Sequence, residues 1–413
     1  MKTVGDPTEG EINPENVRRK EPWHIVACAM VGGSVGASVV AHYGLGVFIK
    51  DIAHDLQWSR SGASNAISLY LVGLGLGVPI AGYLIDRFGP KRIAMVSIIS
   101  LALSLIAISR ATSSAFVIFL CPVMGFVGSA TTLLPYTVTI ASRFQRNRGL
   151  AMGVAATATG FGGIFVPHML AWTTGLHDWR IALLVFAALI MALALPAAFI
   201  GLANARPERK RGKGLGTASL PSLWRSRSFL LTLATISVAN AAVGGVVVHA
   251  VPFLTDNGLS APAAAAALSA VAGASLVGRV GGGILMDRYF APYVGASFFF
   301  IFSLGTAILI LLPSGTAAFL GFALIGVTLG IEADLVGFLV SKYVPPAQHG
   351  SAIGLLVGAY TLSNAMGVAL LGRAYEFFGS YETGLIVAAC FGPLAAFIVT
   401  RLRDSDRYIV ESH

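Results

Sequence analysis

Apolar runs of about 20 residues follow one another along almost the whole chain, and each can cross a hydrocarbon layer roughly 30 Å thick. We count twelve, over residues 23–47, 61–85, 91–109, 114–142, 148–173, 180–203, 229–254, 263–286, 291–312, 316–341, 350–373 and 382–402. In lipid every backbone polar group needs a partner inside the protein, and runs of this length satisfy that as helices. The expected fold is therefore all-α: a polytopic membrane protein of twelve transmembrane helices, with the lipid bilayer as its solvent. The 413 residues would otherwise suggest two or three soluble domains. With 55% hydrophobic and 11% charged residues, the composition excludes that reading.

A net charge of +9 could suggest nucleic-acid binding, but the cations lie in the short links between apolar runs. One set of links holds Arg87, Lys91, Arg92, Arg143, Arg146, Arg148, Arg288 and Lys342, together with both ends of the chain. The alternate set holds only Lys50, Arg60, Arg110, Arg180 and Arg373. This asymmetry places both termini in the cytosol of a cell (inner) membrane and leaves no nucleic-acid partner to expect. The domains read as a cytosolic tail (1–22), a six-helix half (23–203), a basic cytosolic linker (204–228), a second half (229–402) and a short tail (403–413). Cys28, Cys121 and Cys390 sit inside apolar runs as small packing residues.

The halves repeat. Gly82-x-x-x-Asp86-Arg87 recurs as Gly283-x-x-x-Asp287-Arg288, and the same shift of 201 carries Gly125 onto Gly326, Gly149 onto Gly350 and Gly153 onto Gly354. Parallel six-helix repeats are an architecture of alternating-access transporters, which hold substrate between the halves near the midplane.

Three ionised residues interrupt the apolar runs. Arg279 lies about 12 Å in from the charged pair Asp287-Arg288, where a cation costs at least about 2.5–3.5 kcal/mol. Glu332 and Asp334 lie at a similar depth, about 12–15 Å in from Lys342. A deep arginine is suited to holding an anion in a water-accessible cavity, and intramembrane acids suit proton relay. Two residues apart on a helix, Glu332 and Asp334 point to nearly opposite faces, so at most one readily faces the arginine. The bland alternative is a structural ion pair that neutralises Arg279. Tyr136, Tyr360, Asn240 and Asn364 are candidates to line the cavity and bind a carboxylate. Thr157 and Thr159 more simply bond their own backbone. His42, His168 and His249 fall near the outer ends of their helices, where half-exposed positions at the mouth are expected; His42 and His249 are further candidates for proton coupling. No phosphate loop, nucleophile triad or metal-ligand cluster is visible, so no cofactor and no enzyme activity are expected.

Gly82-Tyr-Leu-Ile-Asp86-Arg87-Phe-Gly89-Pro-Lys91-Arg92 resembles the signature loop of the major facilitator superfamily. The resemblance implies that Gly82, Asp86, Arg87 and Gly89, with Asp287 and Arg288 in the second copy, set the balance between inward-open and outward-open states. The second copy is degraded, with Phe290 and Pro292 where Gly89 and Lys91 would stand. Trp58-Ser-Arg60, Asp178-Trp-Arg180 and Gly278-Arg279-x-x-x-Gly283 resemble segments of the monocarboxylate-transporter branch and its bacterial oxalate/formate relatives. In that branch the helix-eight arginine binds substrate carboxylate. The resemblance therefore implies a monomeric secondary transporter for a small organic anion, a monocarboxylate, with protons as the coupled ion. Two departures stand out: Ser275 replaces the acid of mammalian members one turn before the arginine, and helix eleven lacks the second cation of oxalate exchangers. The rivals are an anion exchanger or exporter for another organic acid and, from another class, a membrane ligand sensor that does not transport.

Overall fold

The structure is a computed structural model, and it describes residues 21–144, 147–203, 220–345 and 348–403. Nearly all of the expected N-terminal tail, residues 204–219 of the basic linker and nearly all of the C-terminal tail lie outside these residues. Twelve helices long and apolar enough to cross a membrane are found among the described residues. They are α1 (Trp23–Asp55), α2 (Arg60–Phe88), α3 (Pro90–Ser109), α4 (Ser114–Arg143), α5 (Leu150–Leu176) and α6 (Trp179–Gly201), then α7 (Arg227–Val248), α8 (Ala261–Arg288), α9 (Ala291–Leu311), α10 (Gly315–Tyr343), α11 (Ala352–Phe378) and α12 (Glu382–Val399).

The helix starts follow local chemistry. Ser59 and Ser260 each accept a hydrogen bond from the backbone N–H three residues on, at Gly62 and Ala263, and so begin α2 and α8. These two caps are 201 residues apart. Ser113 and Ser314, also 201 apart, precede α4 and α10. The repeat extends to contacts between helices. A Cβ on Gly125 would meet the Tyr70 carbonyl at 2.0 Å, and one on Gly326 would meet that of Val271 at 2.3 Å. Both members of the second pair are the first shifted by 201. Ser97 donates to the Val127 carbonyl, while in the second half Thr328 donates to the carbonyl of Phe298, the same two positions with donor and acceptor exchanged. Packing follows suit: α2 lies on α4 as α8 lies on α10, α3 on α6 as α9 on α12, and α2 on α11 as α8 on α5.

The signature loop differs between copies. Gly89 turns from α2 into α3 at φ +90°, a conformation that favours glycine, and Pro90 starts α3. Phe290 makes the equivalent turn at φ −64°, ordinary backbone for any residue. The degraded second copy thus joins its helices by a different turn.

Helix α1 is broken. Gly36 is extended, and a Cβ there would meet the Thr131 carbonyl at 2.3 Å. The freed Ala37 N–H donates to Thr131 Oγ1 at 2.8 Å, and Tyr70 Oη donates to the Ala37 carbonyl at 2.8 Å. Side chains of α4 and α2 therefore satisfy the interrupted backbone, as a membrane interior demands. Beyond the break the helix is first overwide (Val40–Gly44) and then tightened (Leu45–Phe48). This segment presents His42 and Tyr43 to the second half.

Candidate functional site

Helices α8 and α10 touch backbone to backbone. A Cβ on Gly278 would meet the Val327 carbonyl at 1.9 Å, and one on Gly330 would meet the Ser275 carbonyl at 2.0 Å. Such glycine contacts let membrane helices approach closely. Here they bring the Arg279 side chain to Asp334, with Nη1 3.2 Å from Oδ1. Only one prong of the guanidinium is used in this bond. The two side chains keep 22% and 33% of their exposure despite their depth along the helices.

Glu332 points elsewhere, as a spacing of two residues requires. It is 4% exposed, and Asn240 of α7, fully buried, donates from Nδ2 to its Oε2 at 3.0 Å. Glu332 Oε1 and Asn240 Oδ1 are buried without a hydrogen-bond partner among the described residues. The hydroxyl of Tyr360 on α11 lies beside Asn240 and feels the charges of both Glu332 and Arg279. Asn240, Glu332 and Tyr360 thus form one polar cluster next to the Arg279–Asp334 pair.

Tyr43 was not singled out from the sequence. It is 4% exposed, its hydroxyl sits beside Ser275, and it lies within electrostatic reach of Arg279. The first half therefore brings a phenol to Ser275, within electrostatic reach of the arginine. Tyr136 is not brought there: it packs against Gly32 and Gly201, whose added Cβ atoms would meet its ring within 3.3 Å. Asn364 donates to His42 Nε2 at 2.9 Å, and the other ring nitrogen of His42 bonds the Ser38 carbonyl at 2.9 Å. His249 is not half-exposed at a mouth. It is 1% exposed and held between the Tyr381 hydroxyl and the Val368 carbonyl, because α7 packs along α11 at this level. His168 matches the exposed reading, and its Nδ1 lies 2.8 Å from Ser269 Oγ of α8.

The two halves meet through Ser68 to the Ala365 carbonyl at 2.6 Å, His42 to Asn364, His168 to Ser269, and close packing of Gly46 on the Val248 carbonyl and Gly372 on Ser64. All of these lie between the middle of the bundle and the end bearing Lys50 and Arg60. At the opposite end, Asp86, Arg87, Asp287 and Arg288 are exposed, and a Cβ on Gly82, Gly354 or Gly358 would meet nothing within 4 Å. Arg279 and Asp334 keep part of their exposure at a level between these two ends.

The Major Facilitator Superfamily profile matches residues 31–368. The chain belongs to that superfamily. Among curated relatives it is 27% identical over 376 residues to Monocarboxylate transporter 13 of Bos taurus, covering 89% of this chain and 86% of that protein. It is 25% identical over 396 residues to Monocarboxylate transporter 11 of Mus musculus, covering 91% and 86%. The fold is similar to the crystal structure of the nucleoside transporter NupG, with a TM-score of 0.75 at 13% identity, covering 91% of this chain and 99% of that one. The chain is therefore an integral membrane transporter of the superfamily rather than an enzyme, and its twelve-helix fold is that of the superfamily.

Proposed function

We propose that this transporter carries a small monocarboxylate together with a proton, by exposing Arg279 alternately to the two sides of the membrane. The reading places both termini in the cytosol and has residues 23–203 and 229–402 rocking about the site. The observation that carries it is Arg279 itself, a deep guanidinium engaged through one prong by a partly exposed acid. An arriving carboxylate can use the fork that Asp334 leaves open, since guanidinium and carboxylate pair best through two parallel hydrogen bonds. Tyr43 and Tyr360 supply hydroxyl donors from opposite halves, so bound substrate touches both.

Coupling follows from charge. While ionised, Asp334 competes with substrate for Arg279. Protonation removes the competitor and raises anion affinity, and by linkage a bound anion favours the proton equally. One anion and one proton together leave the site's net charge unchanged. Asp334, the acid on the arginine, is the coupling residue in this scheme. Glu332, sealed against Asn240, holds α10 to α7. The signature residues Gly82, Asp86, Arg87 and Gly89, with Asp287 and Arg288, tune the equilibrium between states from their exposed end, away from substrate.

The test is uptake of labelled C2–C6 carboxylates into proteoliposomes, with and without an imposed pH gradient. Uptake of a monocarboxylate that accelerates when the outside is acid, and is lost in Arg279→Ala, is the expected result. Normal uptake by a well-folded Arg279→Ala protein rejects the reading. Uptake that requires a counter-anion and ignores the pH gradient replaces symport with exchange.

A further inference from the structure

The charges at the Lys50 end are paired in two different ways. Arg180, at the start of α6, is bonded to Asp55 and lies 3.7 Å from Asp178, both in its own half. Lys50 and Arg60 instead share a single acid from the other half, Asp256, at the end of a short helix (Ala250–Asp256) that follows α7. Lys50 Nζ is 2.6 Å from Asp256 Oδ1. Arg60 donates with both prongs, from Nη1 to Oδ2 and from Nη2 to Oδ1 at 3.1 Å.

Behind this cluster the packing is continuous. The Arg60 guanidinium lies over the ring of Tyr375 on α11, 4.4 Å from its centroid. Tyr375 stacks on Tyr381 with centroids 4.6 Å apart, and Tyr381 reaches His249 at 3.2 Å. A pair within one half is preserved when two rigid halves move against each other. A pair between halves exists only in the state that brings them together. Asp256 therefore distinguishes states, whereas Arg180 with its acids does not.

We infer that Asp256 is a latch which holds the Lys50 end of the transporter shut by clasping Lys50 and Arg60 of the opposite half at once. The two-for-one arrangement has a consequence. Removing either cation leaves the acid a partner, while removing the acid breaks both pairs across the seam at once and leaves two like charges side by side in the first half. The single change at Asp256 thus opens this end more than either cation change. The inference assumes rocking halves, but its readout needs no substrate, so it stands or falls separately from the role of Arg279.

The experiment measures distances by double electron–electron resonance in nanodiscs without substrate. Spin labels at His54 and Ala261 report the Lys50 end, and labels at Phe88 and Tyr289 report the signature-loop end. In Asp256→Asn the 54–261 distribution should shift to longer values and the 88–289 distribution to shorter ones, with the open-to-closed ratio rising about tenfold. Asp256→Glu should restore the parent distances. Arg180→Gln, which breaks a pair within one half, should leave both distributions in place. If Asp256→Asn fails to fold, Lys50→Gln combined with Arg60→Gln makes the same test from the other side. Unchanged distances in a folded Asp256→Asn or Lys50→Gln/Arg60→Gln protein overturn the latch, as does an equal shift in Arg180→Gln.

Discussion

The two ends of this bundle are built from similar residues and arranged oppositely. At the Lys50 end, cations of one half meet an acid of the other, and Gly46 draws backbone onto backbone across the seam. At the signature-loop end, Asp86-Arg87 and Asp287-Arg288 stand exposed. Charge alone therefore does not mark a gate. A gate is made when opposite charges are divided between bodies that move, and the strongest tests are those that treat the two ends or the two halves unequally.

The largest effect is expected at the site between the ends. Truncating one member of a buried charge pair costs about 2–5 kcal/mol, so Arg279→Ala should lower carboxylate uptake by roughly 30- to 5,000-fold. Arg279→Lys keeps the charge but loses the fork, and should remain severely impaired. Next come the glycines that place this arginine. Gly278→Val drives a side chain into the Val327 carbonyl and should cost about 1–3 kcal/mol or separate α8 from α10. A lower melting temperature together with lost uptake checks this, whereas Gly283→Val, which meets nothing within 4 Å, should melt with the parent.

The two acids of α10 sharpen the contrast further. Asp334→Asn should abolish accumulation on a pH gradient and retain exchange of labelled for unlabelled substrate. Glu332→Gln should retain gradient-driven accumulation in whatever protein folds. Gradient-driven accumulation by Asp334→Asn would move coupling elsewhere, with His42 and His249 next. A smaller effect belongs to the unequal loops. Gly89→Ala puts a side chain at φ +90° and ψ 149°, backbone that essentially only glycine adopts, and should cost about 1–3 kcal/mol, read as a drop in melting temperature. Phe290→Ala has no such backbone penalty, so its cost is lost packing alone.

The smallest effect is the response of the latch to acid. Burial pushes the Asp256 carboxyl up, but the hydrogen bonds and charges of Arg60 and Lys50 outweigh it and leave the group below its ordinary value of 3.8. Stability from a depressed carboxyl is fully present above the ordinary value and fades only as pH falls through the depressed one. The contribution of Asp256 should therefore be unaltered between pH 8 and pH 5. Distances between labels at His54 and Ala261, compared in parent and Asp256→Asn proteins across that range, check the sign.

Sequence alone determined the twelve helices, their order and the internal repeat. Run length against a bilayer's thickness and backbone satisfaction inside it are local constraints, each readable without knowing any neighbour. The same logic exposed Arg279, Glu332 and Asp334, because an ionised residue in hydrocarbon is conspicuous from its own surroundings. What only the tertiary structure decided was pairing. Helical spacing showed that Glu332 and Asp334 diverge, but Asp334 takes the arginine because Gly278 and Gly330 seat α8 directly on α10. Tyr43 went unnoticed because a tyrosine in an apolar run looks like packing until the break at Gly36 turns it toward Ser275. Lys50 and Arg60 are near neighbours in the chain, Asp256 lies 196 residues beyond Arg60, and no local signal joins them. Contacts between the halves depend on where whole helices lie, and on which end of the bundle is shut; a sequence encodes those only through the fold.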